Sequence, residues 1–213
     1  MDDKSTFYYD GTRDNIVGFL PSEYSKVLEV GCGNGSFRYS LNSDCEYWGV
    51  EPQTIAHKSA TEKLDKTLLG TYQEVAKDLP DNYFDLIICN DVIEHMSDHD
   101  EFLDEIRIKM KDNAYIVGAI PNVRFFPNLF LLMIKKDWEY QDEGILDRTH
   151  LRFFTRKSLI RTLKQHGYSI EEFAGINNLS YKPTSIKKIT KFIVTRILGK
   201  DTLSQQFAFR IKK

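Results

Sequence analysis

The chain has 213 residues, 41% of them hydrophobic, and a formal net charge of −2; this suits one globular domain and gives no global field to recruit nucleic acid or an anionic membrane. No apolar run reaches the roughly 20 residues needed to cross a bilayer, and the polar start "MDDKSTFYYD" does not read as a signal peptide. Cys32, Cys45 and Cys89 lack metal-like spacing and lie in or beside apolar runs, which predicts reduced, buried thiols in a cytoplasmic protein.

Short apolar runs alternate with helix-length stretches, as in an α/β architecture with a mainly parallel sheet. "KVLEV" (26–30), "EYWGVE" (46–51), "FDLIICN" (84–90) and "AYIVGAI" (114–120) read as buried strands. One helix is expected from about Thr54. Another follows Ser97, where Phe102, Leu103, Ile106 and Met110 recur at helical spacing. The stretch 121–153 carries Pro121, Pro127, many aromatics and dense charge; it is long for a connection and reads as an insertion covering a site. Thr155 is the expected N-cap of "RKSLIRTLKQHG", which Gly167 closes. "YSIEEFAG" and "QQFAFRIKK" alternate apolar and polar residues as strands do. Between them, 185–199 reads as a basic amphipathic helix with Ile186, Ile189, Ile193 and Ile197 on one face, packed on the sheet edge or laid on the inner membrane surface. No repeat or low-complexity linker interrupts the chain, so residues 1–213 are read as a single domain.

The stretch "VLEVGCGNGSF" (27–37) runs from a strand into a glycine loop and a helix start, an arrangement that holds nucleotides. A dinucleotide fingerprint counted from Gly31 and Gly33 needs glycine at Ser36, so that pattern fails at its last position. The pattern that fits is acid-x-Gly-x-Gly-x-Gly, formed by Glu29, Gly31, Gly33 and Gly35. Glu51 ends the next strand, where a carboxylate accepts hydrogen bonds from ribose hydroxyls. The plain alternative is a glycine turn used only for tight packing.

At these residues the chain resembles the class I S-adenosylmethionine-dependent methyltransferases. "LEVGCGNGSF" is similar to their first motif, "YWGVEP" to the second, and "FDLIICNDVIEHM" to the strand and loop that follow. The resemblance implies a Rossmann-like, doubly wound, seven-stranded, mainly parallel sheet whose last strand is antiparallel. It implies S-adenosylmethionine as cofactor. Gly31, Gly33 and Gly35 would pass its methionine part, Glu51 would hold the ribose, and Asn90 and Asp91 would line the loop beside the donor. A carboxylate suits the loop amides and helix start, while Glu29 suits the ammonium group. Relatives often carry an acid after the third strand, near the adenine amino group; here "LLGTYQEVAKDLP" offers Thr71.

Transfer of a sulfonium methyl group needs an in-line nucleophile and a base, and no metal. In "NDVIEHM", Asp91, Glu94 and His95 fall close enough to converge. They read as a helix cap, an acceptor contact or, as in some quinone-precursor O-methyltransferases, ligands for Mg²⁺. "IPNVRFF" and "DWEYQDEGILDRTHLRFFT" (137–155) resemble segments of methyltransferases encoded with bacterial surface polysaccharide and O-antigen pathways. Arg148 and Arg152 are expected to clamp phosphate or carboxylate, and Trp138, Tyr140 and Phe153 to offer faces to a ring. His150, between the arginines, is the first candidate base and His95 the second. The plain alternative is a structural lid in which Asp147 pairs with Arg148 or Arg152.

The expected activity is O-methylation of a sugar or glycan in surface polysaccharide biosynthesis, on a nucleotide-sugar, lipid-linked glycan or other small acceptor. The alternative is a quinone-precursor type of small-molecule O-methyltransferase, Mg²⁺-assisted. Ser36 and the lack of a Tyr-x-x-x-Lys pair disfavour an NAD-dependent sugar oxidoreductase. The intact glycine loop disfavours a non-catalytic binding module. "CNDVI" is unlike the Asn-Pro-Pro-aromatic loop of base methylation, so no nucleic-acid partner is expected.

Overall fold

The computed structural model describes residues 14–179 and 195–213. Seven strands form one sheet: β1 (Lys26–Val30), β2 (Glu46–Glu51), β3 (Lys66–Leu69), β4 (Phe84–Asn90), β5 (Met110–Pro121), β6 (Ser169–Asn178) and β7 (Ser204–Lys212). Their order across the sheet is β3-β2-β1-β4-β5-β7-β6. β1 to β5 pair in parallel, and β7 lies antiparallel between β5 and β6. The expected doubly wound sheet with its antiparallel last strand is the fold observed.

Side-chain alternation gives the sheet two buried faces. Leu28, Val30, Ile87, Cys89, Ile116 and Ile120 join one apolar cluster. Val27, Tyr47, Leu86, Ile88, Val117 and Ala119 join another. Strands buried on both sides must read as near-continuous apolar runs, which is why they were legible. Between β4 and β5 the backbones pack so closely that a Cβ on Gly118 would stand 2.1 Å from the Cys89 carbonyl oxygen.

The helices are α1 (Thr54–Ala60), α2 (Tyr72–Val75), α3 (His99–Lys109), α4 (Phe126–Phe130) and α5 (Arg156–Gln165). The Thr155 hydroxyl accepts from the Ser158 amide at 3.1 Å as N-cap of α5, a contact that stabilises by about 1 kcal/mol. Gly167 follows at φ +78, the left-handed closure expected of it.

Two expectations change. Met110 belongs to β5, whose pairing with β4 shifts register between Phe84 and Leu86, and Asn113 has φ 66. An apolar residue at a helix end fits the last helical turn and a first strand position equally well. The segment after the glycine loop is a five-residue 3₁₀ turn, Ser36–Ser40. Its serines, with Asn42, Ser43 and Asp44 beyond, compete for backbone groups and favour turns over a long helix. The basic helix expected over 185–199 lies mostly outside the described residues; 195–198 are helical.

Candidate active site

The C-terminal ends of β1, β2 and β4 meet where strand order reverses, the usual ligand crevice of a doubly wound sheet. The loop after β1 holds Gly31 at φ 71 and Gly35 at φ 76. A Cβ on Gly31 would lie 3.0 Å from a Val92 methyl, and one on Gly35 would lie 3.2 Å from the Ala60 backbone. Both are therefore held to glycine by conformation and by space. The Gly31 and Cys32 amides donate to the Val50 carbonyl at 2.8 and 3.1 Å, pinning the loop to the end of β2.

Glu51 is 4% exposed. One of its oxygens accepts from the Gly33 amide at 2.7 Å and the other from the Gln53 amide at 2.9 Å. Each oxygen retains acceptor capacity, which fits a vicinal diol. Glu29 is fully buried and accepts the Tyr47 hydroxyl. Asn90 ends β4, and its side-chain oxygen is buried with no hydrogen-bond partner among the described residues. Asp91 has φ 55, and its carboxylate accepts from Gln206 Nε2 of β7 at 2.6 Å.

Beside this crevice the loop after β4 is joined to the covering segment by backbone. The Glu94 carbonyl accepts the Leu151 and Arg152 amides at 2.8 and 3.1 Å. His95 Nδ1 donates to the Thr149 carbonyl at 3.1 Å, and His150 Nδ1 to the Ile145 carbonyl at 3.0 Å. A carbonyl only accepts, so both Nδ1 atoms carry hydrogen, and in the neutral rings Nε2 carries the lone pair. The rings stack edge-to-face, 4.7 Å between centroids. His150 Nε2 lies 4.0 Å from Glu94 Oε1, and both side chains are buried. Neither Glu94 oxygen has a hydrogen-bond partner among the described residues. Burial pushes its carboxyl well above the ordinary value, and the Asp91 charge adds to the rise.

Ligand atoms of Glu94, His95 and His150 all lie within 4.8 Å of one another. The cluster expected from sequence held Asp91 where the fold brings His150. Asp91 turns toward Gln206, while the covering segment folds back over the loop. An orphaned carboxylate facing two imidazoles fits a divalent cation. Two nitrogen ligands suit a first-row transition metal better than Mg²⁺.

Of the residues expected as an acceptor clamp, both arginines have partners of their own. Arg148 pairs with Asp142 at 2.9 Å. Arg152 donates to the Leu151 and Ser97 carbonyls at 3.0 and 2.8 Å, and Tyr140 is exposed. His150 faces Glu94 and His95. Asp147 is buried and accepts the Thr149 amide and hydroxyl at 2.8 and 2.7 Å. The edge of Trp138 packs on Phe153, 5.3 Å between centroids.

Sequence reading missed two residues, Glu74 and Gln206. Thr71 is the N-cap of α2, and its amide and hydroxyl donate to Glu74 at 2.7 and 2.8 Å. An acid therefore does stand at the loop after β3, three positions later than sought. The Thr-x-x-Glu spacing of a capping box was the available signal. Gln206 gave none, because its partner Asp91 is 115 residues away in sequence.

A family profile described as a methyltransferase domain matches residues 9–172. The chain is 26% identical over 168 residues to a ubiquinone biosynthesis O-methyltransferase of Rhodopseudomonas palustris (strain BisA53), covering 76% of this chain and 64% of that protein. It is 25% identical over 194 residues to the mitochondrial ubiquinone biosynthesis O-methyltransferase of Bos taurus, covering 81% of this chain and 50% of that one. The chain thus spans between half and two thirds of the length of these curated relatives. Its fold is similar to the crystal structure of a SAM dependent methyltransferase from Archaeoglobus fulgidus, with a TM-score of 0.66 at 23% identity and coverage of 97% of this chain and 96% of that one.

Proposed function

The chain belongs to the methyltransferase-domain family, and from that premise we propose that it transfers the methyl group of S-adenosylmethionine to a hydroxyl oxygen on an acceptor held beneath residues 137–155. The methionine part of the donor lies along Gly31, Gly33 and Gly35, and Glu51 takes the ribose hydroxyls on its two remaining lone-pair directions. The buried Asn90 oxygen accepts from the donor, and Asp91 lines the same loop. Glu29 sets the negative charge under the loop that favours the ammonium group. Glu74 offers its carboxylate to the adenine amino group.

In the transfer, the acceptor oxygen attacks the methyl carbon, the carbon–sulfur bond breaks, and S-adenosylhomocysteine leaves as a neutral thioether. The hydroxyl proton goes to a base. His150 is that base, with its Nε2 lone pair set by the Nδ1 hydrogen bond to Ile145; His95 is next in line. A divalent cation held by Glu94, His95 and His150 would take the same Nε2 lone pair; with it bound, positive charge beside the acceptor oxygen would favour the ionised form in place of proton transfer to His150.

The observation that carries this reading is the buried, unpartnered Glu94 carboxylate 4.0 Å from His150 Nε2. It favours a phenolic acceptor of the quinone-precursor type, as the names of the curated relatives suggest. A second reading, a sugar hydroxyl on a nucleotide-sugar or lipid-linked glycan, is favoured by the segment "DWEYQDEGILDRTHLRFFT" (137–155). The test is to incubate the purified protein with methyl-labelled S-adenosylmethionine and a fractionated bacterial extract, with and without a chelator. Chelator-sensitive label in a lipid-soluble phenol supports the first reading. Chelator-insensitive label in nucleotide-sugar or glycan fractions supports the second, and no label in any fraction rejects both.

A further inference from the structure

The covering insertion begins with a helical run that continues from α4 into a π turn, Leu131–Lys135. That run leaves large apolar side chains in water. Leu132, Met133 and Ile134 are consecutive and exposed, Met133 by 62% and Ile134 by 63%, and Phe130 is exposed beside them. Lys135 and Lys136 follow, both exposed. A run of three adjacent exposed apolar residues is uncommon on a soluble surface and marks a contact.

A second segment of the same character leaves from the same corner of the fold. Arg124, just before α4, donates to the Asp201 carboxylate at 2.9 Å and also to the Leu198 carbonyl. Asn122 donates to the Asp201 and Ser204 carbonyls, both at 2.8 Å. These bonds root residues 195–201 against the base of the insertion. Ile197, in that segment, is 74% exposed, and Arg196 and Lys200 are exposed on either side of it.

We propose that this corner, formed by residues 130–136 and 196–200, docks on an anionic lipid surface, with Phe130, Met133, Ile134 and Ile197 entering the interface and the neighbouring lysines and arginine meeting headgroups. Apolar side chains that sink a few ångströms while flanking cations remain at headgroup level describe an interfacial anchor, not a span. Among the described residues no helix is long and apolar enough to cross a membrane. The four cations and the apolar tip complement an anionic bilayer. Asp137, Glu139, Asp142 and Glu143 follow the lysines and are exposed. Their charge holds the covering segment out at the water side and limits the insertion to the tip. This inference is independent of the acceptor, since it rests on a surface and not on the crevice.

The test uses the full chain and vesicles of phosphatidylcholine with or without phosphatidylglycerol. The chain is expected to sediment with the anionic vesicles, and L132S/M133S/I134S to weaken that binding by about tenfold or more. K135E/K136E is expected to weaken it with a shallower salt dependence. All substituted side chains are exposed, so an unchanged melting temperature confirms that the variants are folded. No sedimentation with anionic vesicles overturns the proposal. So does binding that survives the triple variant and is lost only when Lys187, Lys188 and Lys191, in the basic stretch 185–199, are neutralised. A concentration-dependent dimer that the triple variant abolishes, without vesicle binding, assigns the surface to a second copy and equally overturns it.

Discussion

The Gly33 amide donates to the Glu51 carboxylate at 2.7 Å, so the loop after β1 and the end of β2 form one unit. The carboxylate expected to hold the ribose also holds the loop. Glu51→Ala removes both, and S-adenosylmethionine affinity is expected to fall roughly thirtyfold or more, at about 2 kcal/mol for a hydrogen bond to a charged group. Glu51→Gln keeps one acceptor oxygen and is expected to lose about tenfold. Calorimetric titration with the cofactor checks both, and equal affinities in all three proteins would remove Glu51 from the donor site.

His150→Ala is expected to leave cofactor affinity intact and to lower turnover by about 10²- to 10³-fold, the usual worth of a positioned base. The reason is positional: His150 faces Glu94 and His95, not the glycine loop. Methyl-transfer assays beside cofactor titration separate the two effects. Unchanged turnover passes the base role to His95.

Addition of Mn²⁺ or Zn²⁺ is expected to raise the melting temperature, and Glu94→Gln to abolish the rise. Burial holds the Glu94 carboxyl well above its ordinary value, so binding a cation displaces a proton. The cation's stabilisation should therefore increase as pH rises. A thermal shift identical in wild type and Glu94→Gln would exclude this cluster as the metal site.

His166, at the end of α5, bonds Asp104 at 2.7 Å through Nδ1 and Asp100 at 2.8 Å through Nε2. Burial pulls the imidazolium down, but the bonds to Asp104 and Asp100 outweigh it and leave the group above its ordinary value. Because the folded value is raised, this contribution is full below the unfolded histidine value of about 6.5 and disappears as pH rises through the folded value. His166→Ala is expected to cost more at pH 5 than at pH 9, by about 1 kcal/mol or less given the exposed carboxylates. Denaturant melts at the two pH values test it; a cost that is the same at both would mean the bonds do not need the second proton.

Gly118→Ala is expected to destabilise by about 3 kcal/mol, or to prevent folding, because its Cβ would stand 2.1 Å from the Cys89 carbonyl in the middle of the sheet. Gly144→Ala meets nothing within 4 Å, and its only strain is a φ of +83. It is expected to cost about 1–2 kcal/mol, as a side chain held in the left-handed region does. Thermal melts rank the two variants, and the reverse order would contradict the β4–β5 packing.

The amino-acid sequence by itself determined the elements that are fixed locally. β1, β2 and β4 have the boundaries that their apolar runs define, because strands buried on both faces admit few polar residues. The glycine loop and the Thr155 cap were legible for the same reason: positive φ and orphan amides demand particular residues at one position. Only the tertiary structure decided what faces His150. Its flanking arginines suggested a cationic surround, yet in an irregular segment neighbours in sequence point apart, and Arg148 and Arg152 found partners elsewhere. Bringing Glu94 and His95 to His150 joins residues more than fifty positions apart through backbone bonds that leave no pattern in the chain. The same holds for Gln206 on Asp91. Local periodicity wrote the scaffold, and long-range backbone pairing chose which side chains share the site.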